Sequence, residues 1–99
     1  RPLPHYHNIR VPGIVLLRQR PSTAKGITFC TLEDETDNFN VVVFQNIWQQ
    51  FRQVTRRSPA WIVYGTLERK DGVIHVIARR IEDLSHRLQD LNTKSRDFR

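Results

Sequence analysis

Hydrophobic positions change period along this chain. From Val11 the text runs Val-Pro-Gly-Ile-Val-Leu-Leu-Arg-Gln-Arg, an apolar stretch ending in cations at Arg20. It predicts a first strand over 11–20, with Gly13 marking a bulge or a close backbone contact. Ile27 to Leu32 and Phe39 to Phe44 are short runs rich in β-branched and aromatic residues, the second and third strands. Then Ile47, Phe51 and Val54 fall at i, i+4 and i+7 with Gln49, Gln50, Arg52 and Gln53 between them, which is one face of a helix. Asn46 is placed to cap that helix, with Gln49 three residues later as in a capping box. Arg56 and Arg57 suit its C-terminal end, and Ser58-Pro59 stops it. Ala60 to Glu68 and Val73 to Ala78 read as the fourth and fifth strands, joined by the Asp71-Gly72 hairpin signal. Beyond them Ile81, Leu84, Leu88 and Leu91 recur at roughly helical spacing, before a polar tail over 92–99. Residues 1–10 carry two prolines and no periodicity, and read as a linker or strap.

The order is therefore β-β-β-α-β-β. A helix between the third and fourth strands of a five-stranded, mostly antiparallel set is the order of the OB-fold, a small Greek-key barrel. An SH3-like barrel would not normally hold a helix of this length there. The expected organisation is a strap over 1–10, an OB-fold domain over 11–80, and a C-terminal helix and tail over 81–99.

Charge narrows the function classes. Sixteen Lys and Arg stand against ten Asp and Glu in 99 residues, a formal net charge of +6, and the sequence pI is about 10.4. A field of that sign concentrates polyanions, most simply nucleic acid. No segment approaches the ~20 apolar residues of a spanning helix, so membrane is not an expected partner. No apolar stretch follows Arg1 in the manner of a secretory signal. Cys30 is the single cysteine. It offers no intramolecular disulfide and no cysteine-based zinc site, and an intracellular compartment fits. His5 and His7 lack the further partners a metal needs and read as a solvated pair. No metal or other cofactor is expected.

One stretch runs against the charge. Glu33, Asp34 and Glu35 are consecutive, and Asp37 follows. Neighbours on an extended chain point to alternate sides, so they do not converge, and no histidine or further acid is placed to complete a site. Asp34, Thr36, Asp37 and Asn38 are instead the residue types that bond back to the backbone in a turn. The run reads as the connection between strands two and three.

Function in an OB-fold usually lies on the face of strands two and three, flanked by the loops after strands one and four. Arg18, Arg20 and Lys25 fall at the first loop, Arg69 and Lys70 at the other, and these five cations are expected to meet at one rim. Arg20 and Lys25 are suited to neutralising phosphates. Thr31 lies on the second strand, and Phe29, Phe39 or Phe44 offers a ring for base stacking, with core burial as the competing role. His75, in strand five, faces either the groove or the core. Trp48 and Trp61 read as packing residues, given the area an indole buries. Ser85-His86 is no nucleophile pair, because adjacent residues on a helix diverge. No Gly-rich phosphate loop and no catalytic constellation appears, so the residues describe a binding module.

Several blocks carry a family resemblance. Val11 to Gly26, Phe29-Cys-Thr-Leu-Glu-Asp-Glu-Thr36, Gly65-Thr-Leu-Glu-Arg69, Val73-Ile-His-Val76, Arg80-Ile-Glu-Asp-Leu-Ser85 and the tail Lys94-Ser-Arg-Asp-Phe98 resemble the OB domain of bacterial C-family DNA polymerases, specifically the error-prone, ImuC-type branch. Asp37 stands where that family commonly has glycine, and Arg99 where histidine is usual. The resemblance implies a C-terminal OB domain of a translesion polymerase of the bacterial cytoplasm, contacting single-stranded DNA template. It implies that the catalytic carboxylates and their metal ions belong to a palm domain elsewhere. It also implies accessory translesion proteins and the sliding clamp as partners of the whole polymerase. The rival reading is a protein-interaction module that docks an accessory subunit.

Overall fold

Strand pairing in the computed structural model, which describes residues 6–85, closes a single barrel. The strands are β1 (Tyr6–Gln19), β2 (Thr28–Glu33), β3 (Asn38–Val43), β4 (Ala60–Lys70) and β5 (Val73–Asp83), and their order around the barrel is β1-β2-β3-β5-β4. β1 is long enough to serve both edges. Its first half pairs with β4, and its second half with β2. All pairs are antiparallel except β3 with β5. This is the expected OB-fold, with helical residues between β3 and β4.

The core follows from the pleat. Successive side chains of a strand point to opposite faces, and β2 shows it plainly: Thr28, Cys30 and Leu32 are buried, while Phe29 and Glu33 are exposed. Val11, Leu32, Val41, Val43, Trp61, Val63, Val76 and Ile81 fill the barrel with them. Gly65 is required by crowding: a Cβ there would lie 2.1 Å from the Ile77 carbonyl oxygen. Across from it the register of β5 slips, leaving Arg79 as the extra residue between the Tyr64–Arg80 and Gly65–Ala78 pairs. Gly13 has the expected close contact, with a would-be Cβ 2.8 Å from the Glu33 carbonyl oxygen. The β1 bulge itself comes later, between Val15 and Leu17.

Several boundaries differ from the sequence reading. β1 begins at Tyr6 rather than Val11, because the chain from Tyr6 pairs with β4 from Glu68 onward. β5 runs to Asp83, so Ile81 is a buried strand residue rather than the start of a helix. Leu88 and Leu91 lie outside the described residues. The single helix is two, α1 (Gln45–Gln50) and α2 (Arg52–Arg57), broken at Phe51 with φ −111° and ψ 30°. At the break the Trp48 carbonyl accepts the Thr55 hydroxyl at 3.2 Å. Phe44, not Asn46, holds the N-cap position, and it makes no side-chain cap. The expected apolar face survives the break, since Ile47, Trp48, Phe51 and Val54 all pack against the core.

The acidic run is a turn. Asp34 Oδ1 accepts the backbone N–H of Thr36 and of Asp37, both at 2.8 Å, and the Asp34 N–H reaches the Asp37 carbonyl at 2.9 Å. Asp37 is not among the left-handed residues, so its place needs no glycine. The left-handed non-glycines are Lys25 and Asp71. Asp71 with Gly72 has positive φ at both positions, which makes the β4–β5 connection a type I′ hairpin as expected.

Gly65→Ala forces the barrel backbone apart, at about 1–3 kcal/mol, and lowers the melting temperature by roughly 10 °C. A calorimetric scan showing no change would refute that contact. The N–H donors of Asp37 and Thr36 hold the Asp34 carboxyl below its ordinary value of 3.8. The carboxylate's contribution is therefore fully present above that value and is lost as pH falls through the lower folded one. The melting-temperature gap between wild type and Asp34→Asn should accordingly shrink from about pH 6 to about pH 3.

Candidate nucleic-acid interface

The outer face of the barrel is set by register. Leu17, Thr31, Asn40, His75 and Glu68 form one row across β1, β2, β3, β5 and β4. Gln19, Phe29, Val42, Ile77 and Thr66 form the next. On this face Phe29 is 38% exposed and Leu17 48%. The β1 bulge adds Leu16 to the exposed apolar residues. Thr31 and Asn40 sit beside them with hydroxyl and amide groups. Rings and methyls interleaved with neutral polar groups are surfaces on which bases stack and sugars pack.

Phe39 takes the other side. It pairs with buried Leu32 and packs against the core, so its ring is not offered on the face. His75 lies on the face, next to the core residue Val76 and level with Asn40 and Glu68. Its Nδ1 is buried and has no hydrogen-bond partner among the described residues.

The five cations do not meet at one rim. β3 and β5 are parallel, with Asn40 opposite His75 and Val42 opposite Ile77. The start of β5, with the hairpin before it, therefore lies at the Asn38 end of the face, while the β1–β2 loop lies at the Phe29 end. Arg20 and Lys25 stand at one end and Arg69 and Lys70 at the other, with the face between them. Arg69 pairs with Ile74, on the opposite side of the ribbon from Glu68 and His75.

Arg18 and Arg20 also divide their work. Arg18 Nε donates to the Thr55 carbonyl at 2.8 Å and its terminal nitrogen to the Ser58 carbonyl at 2.6 Å. Its guanidinium lies 5.3 Å from the centroid of Trp61. Trp61, fully buried, donates Nε1–H to the Val54 carbonyl at 3.2 Å and meets Trp48 edge to face. The end of α2 is thus capped by two barrel side chains. Burial pushes the nearby Cys30 thiol up to about 11, with the Arg18 charge pulling the other way. Arg20 instead donates Nε–H to Thr28 Oγ1 at 3.1 Å and stacks 5.5 Å from the centroid of Trp48. It lines a hollow of about 250 Å³ together with Arg18, Thr28, Trp48 and Arg56. In sequence the helical position of Arg56 explains it locally, whereas the hollow exists only once α2 packs against β1.

Among the described residues no group of three His, Cys, Asp or Glu side chains could hold a metal ion. No described helix is long and apolar enough to cross a membrane.

A family model described as an OB-fold nucleic acid binding domain matches residues 9–84. The chain is 56% identical over 92 residues to an error-prone DNA polymerase of Rhodopirellula baltica, covering 93% of this chain. It is 53% identical over 85 residues to one of Ruegeria pomeroyi, covering 86%. It spans only 8% of the length of either relative. Among solved structures it resembles asparaginyl-tRNA synthetase from Pyrococcus horikoshii, with a TM-score of 0.66 at 20% identity over 79% of this chain and 20% of that one. It also resembles the S. pombe Stn1-ten1 complex, with a TM-score of 0.64 at 16% identity over 96% of this chain and 79% of that one. At those identities the two structures support the fold alone.

The division between the two arginines is testable by melting. Arg18→Ala leaves the Thr55 and Ser58 carbonyls without their charged donor and should cost about 1.5–3 kcal/mol. Arg20→Ala, losing one part-buried bond to the Thr28 hydroxyl, should cost about 1 kcal/mol. Equal losses would contradict the assignment of Arg18 as the clip.

Proposed function

The chain belongs to the OB-fold nucleic acid binding domain family, and from that premise we propose that it binds single-stranded DNA, without strong sequence preference, on the outer face of β1, β2 and β3. We further propose that it is the C-terminal OB domain of an error-prone translesion polymerase of the ImuC-type branch. It would help hold unpaired template, while polymerisation takes place elsewhere in that longer, cytoplasmic bacterial protein. The observation that carries this is the outer face on which Leu17, Phe29 and Asn40 are exposed beside Thr31, with Arg20 and Lys25 in the loop at its end. A water-facing sheet that leaves Leu16, Leu17 and Phe29 uncovered has a stacking surface, and Arg20 and Lys25 stand where a phosphate leaves it.

Residue by residue, Phe29 stacks a base, Leu17 packs a sugar, and Thr31, Asn40 and His75 hydrogen-bond base edges. Arg20, Lys25, Arg69 and Lys70 serve phosphates, and Arg18 acts through the shape it gives the helix end. Neither Arg18 nor Phe39 contributes a contact surface in this reading.

A second reading has its own observation. Pro12, Gly13, Ile14 and Leu84 line a mainly apolar hollow of about 620 Å³ rimmed by Glu33, Asp34 and Glu35. Acid at its edge repels a polynucleotide and suits a polypeptide, so an accessory translesion protein or the sliding clamp would dock there rather than on the face.

Titration of a labelled oligodeoxythymidine by fluorescence anisotropy tests the main reading. With three to five phosphates neutralised, log affinity should fall against log salt with a slope of about −2 to −3.5. Phe29→Ala should weaken binding by about 1–3 kcal/mol, the worth of one stacked base. A flat salt response, or a Phe29→Ala variant that binds like wild type, would overturn it.

A further inference from the structure

The charge of this domain is sorted by position. No Asp or Glu occurs before Glu33 or between Asn38 and Leu67. The acids among the described residues sit in the β2–β3 turn (Glu33, Asp34, Glu35, Asp37), at the β4–β5 hairpin (Glu68, Asp71), and at the end of β5 (Glu82, Asp83). The first two groups lie at the end of the outer face away from Arg20. At Arg20's own end stands α2, whose Arg52, Arg56 and Arg57 are all exposed. Arg52, Gln53, Arg56 and Arg57 line a second hollow, of about 350 Å³. Arg56 is common to this hollow and to the one holding Arg20. No carboxylate lines either.

Arginines in the last turn of a helix ordinarily answer its dipole and its unsatisfied carbonyls. Here that work is already done: Arg18 takes the Thr55 and Ser58 carbonyls, while Trp61 and the Ser58 N–H take the Val54 carbonyl. Arg56 and Arg57 have no side-chain acceptor among the described residues, so their charge faces water beside Arg18 and Arg20. Asp83, which accepts the Ser58 hydroxyl at 2.8 Å, stands at the edge of this group, and concentrating five guanidiniums beside one carboxylate still costs self-repulsion, which a bound polyanion would relieve. Arg20 is held in place by Thr28 and the Trp48 ring, so little side-chain freedom is lost when it meets a phosphate.

We infer that α2 is a second segment of the nucleic-acid path: a strand leaving the outer face past Phe29 turns over Arg20 and continues along Arg56, Arg52 and Arg57, which hold its phosphates. The inference rests on the face binding single-stranded DNA, and it makes the occupied site longer than that face. The hairpin end, with Glu68, Asp71 and the acidic turn nearby, offers no equivalent extension. Contacts along α2 are to phosphate only, because both hollows are lined chiefly by guanidiniums.

Length dependence isolates this segment. Anisotropy titrations would use oligodeoxythymidine of about 5 and about 15 nucleotides, within the site sizes known for single OB-folds. Wild type should bind the longer strand at least about tenfold more tightly than strand length alone gives, with a salt slope steeper by about 2, from three contacts at about 0.7 each. Replacing Arg52, Arg56 and Arg57 together by alanine should remove that excess and leave the short strand's affinity unchanged. These side chains are exposed, and an unaltered melting curve verifies the fold. Arg56→Gln alone should remove about a third of the slope difference and serves if the triple variant is unstable. If the triple variant keeps the long-strand excess, or weakens both lengths equally, the path along α2 is wrong. In that event Phe29→Ala, which should weaken both lengths, still reports on the face. If wild type binds neither strand, face and path fall together.

Discussion

Arg18 reaches from β1 to the end of α2, donating to the carbonyls of Thr55 and Ser58 while its guanidinium covers Trp61. Carbonyls at a helix end have no partner within the helix, and here a strand of the barrel supplies one. Trp61 does the same for Val54 from β4, and Thr55 returns its hydroxyl to the Trp48 carbonyl across the helix break. This set of bonds fixes the two short helices on the barrel. Each has only six residues, too few to be stable alone in water. Their geometry, and the hollow between α2 and β1, depend on tertiary bonds rather than on helix propensity.

The outer face depends on a different constraint. Closing five strands makes β3 and β5 run parallel, and the loops at their ends fall at opposite limits of the sheet surface. The bulge at Leu16 then leaves two successive leucines of β1 exposed to solvent next to Phe29. An apolar strip that runs to the cationic Arg20 end is the common ground of the proposed DNA contact and its extension along α2. The acidic turn, held by its own backbone, keeps the opposite end of the domain of the other sign.

Much of the fold could be read from one dimension. Period-two runs, the Asp71-Gly72 signal and the change of period at Ile47 are local patterns, and each corresponds to an observed element. The acidic run was legible for the same reason, since Asp34 bonds only to residues two and three positions on. Boundaries were less legible where pairing partners decide them. Tyr6 to Arg10 look irregular in sequence, yet they are strand because Tyr64 to Glu68 lie alongside. Ile81 fits a helical spacing with Leu84, but its contacts with β4 make it strand.

The candidate site was legible as residue types and not as an arrangement. Phe29 and Phe39 are both strand phenylalanines, and only the register to Leu32 puts one inside and leaves the other on the face. Arg18 and Arg20 are two residues apart and alike in charge, yet one is spent on helix carbonyls and the other bonds only the Thr28 hydroxyl beside the hollow they share. Local chemistry, carried by spacing and side-chain type, settled the elements, the turn and the sign of the field in sequence alone. Which side each side chain takes, and which charges stand together, were decided in three dimensions, because both depend on bonds between residues tens of positions apart.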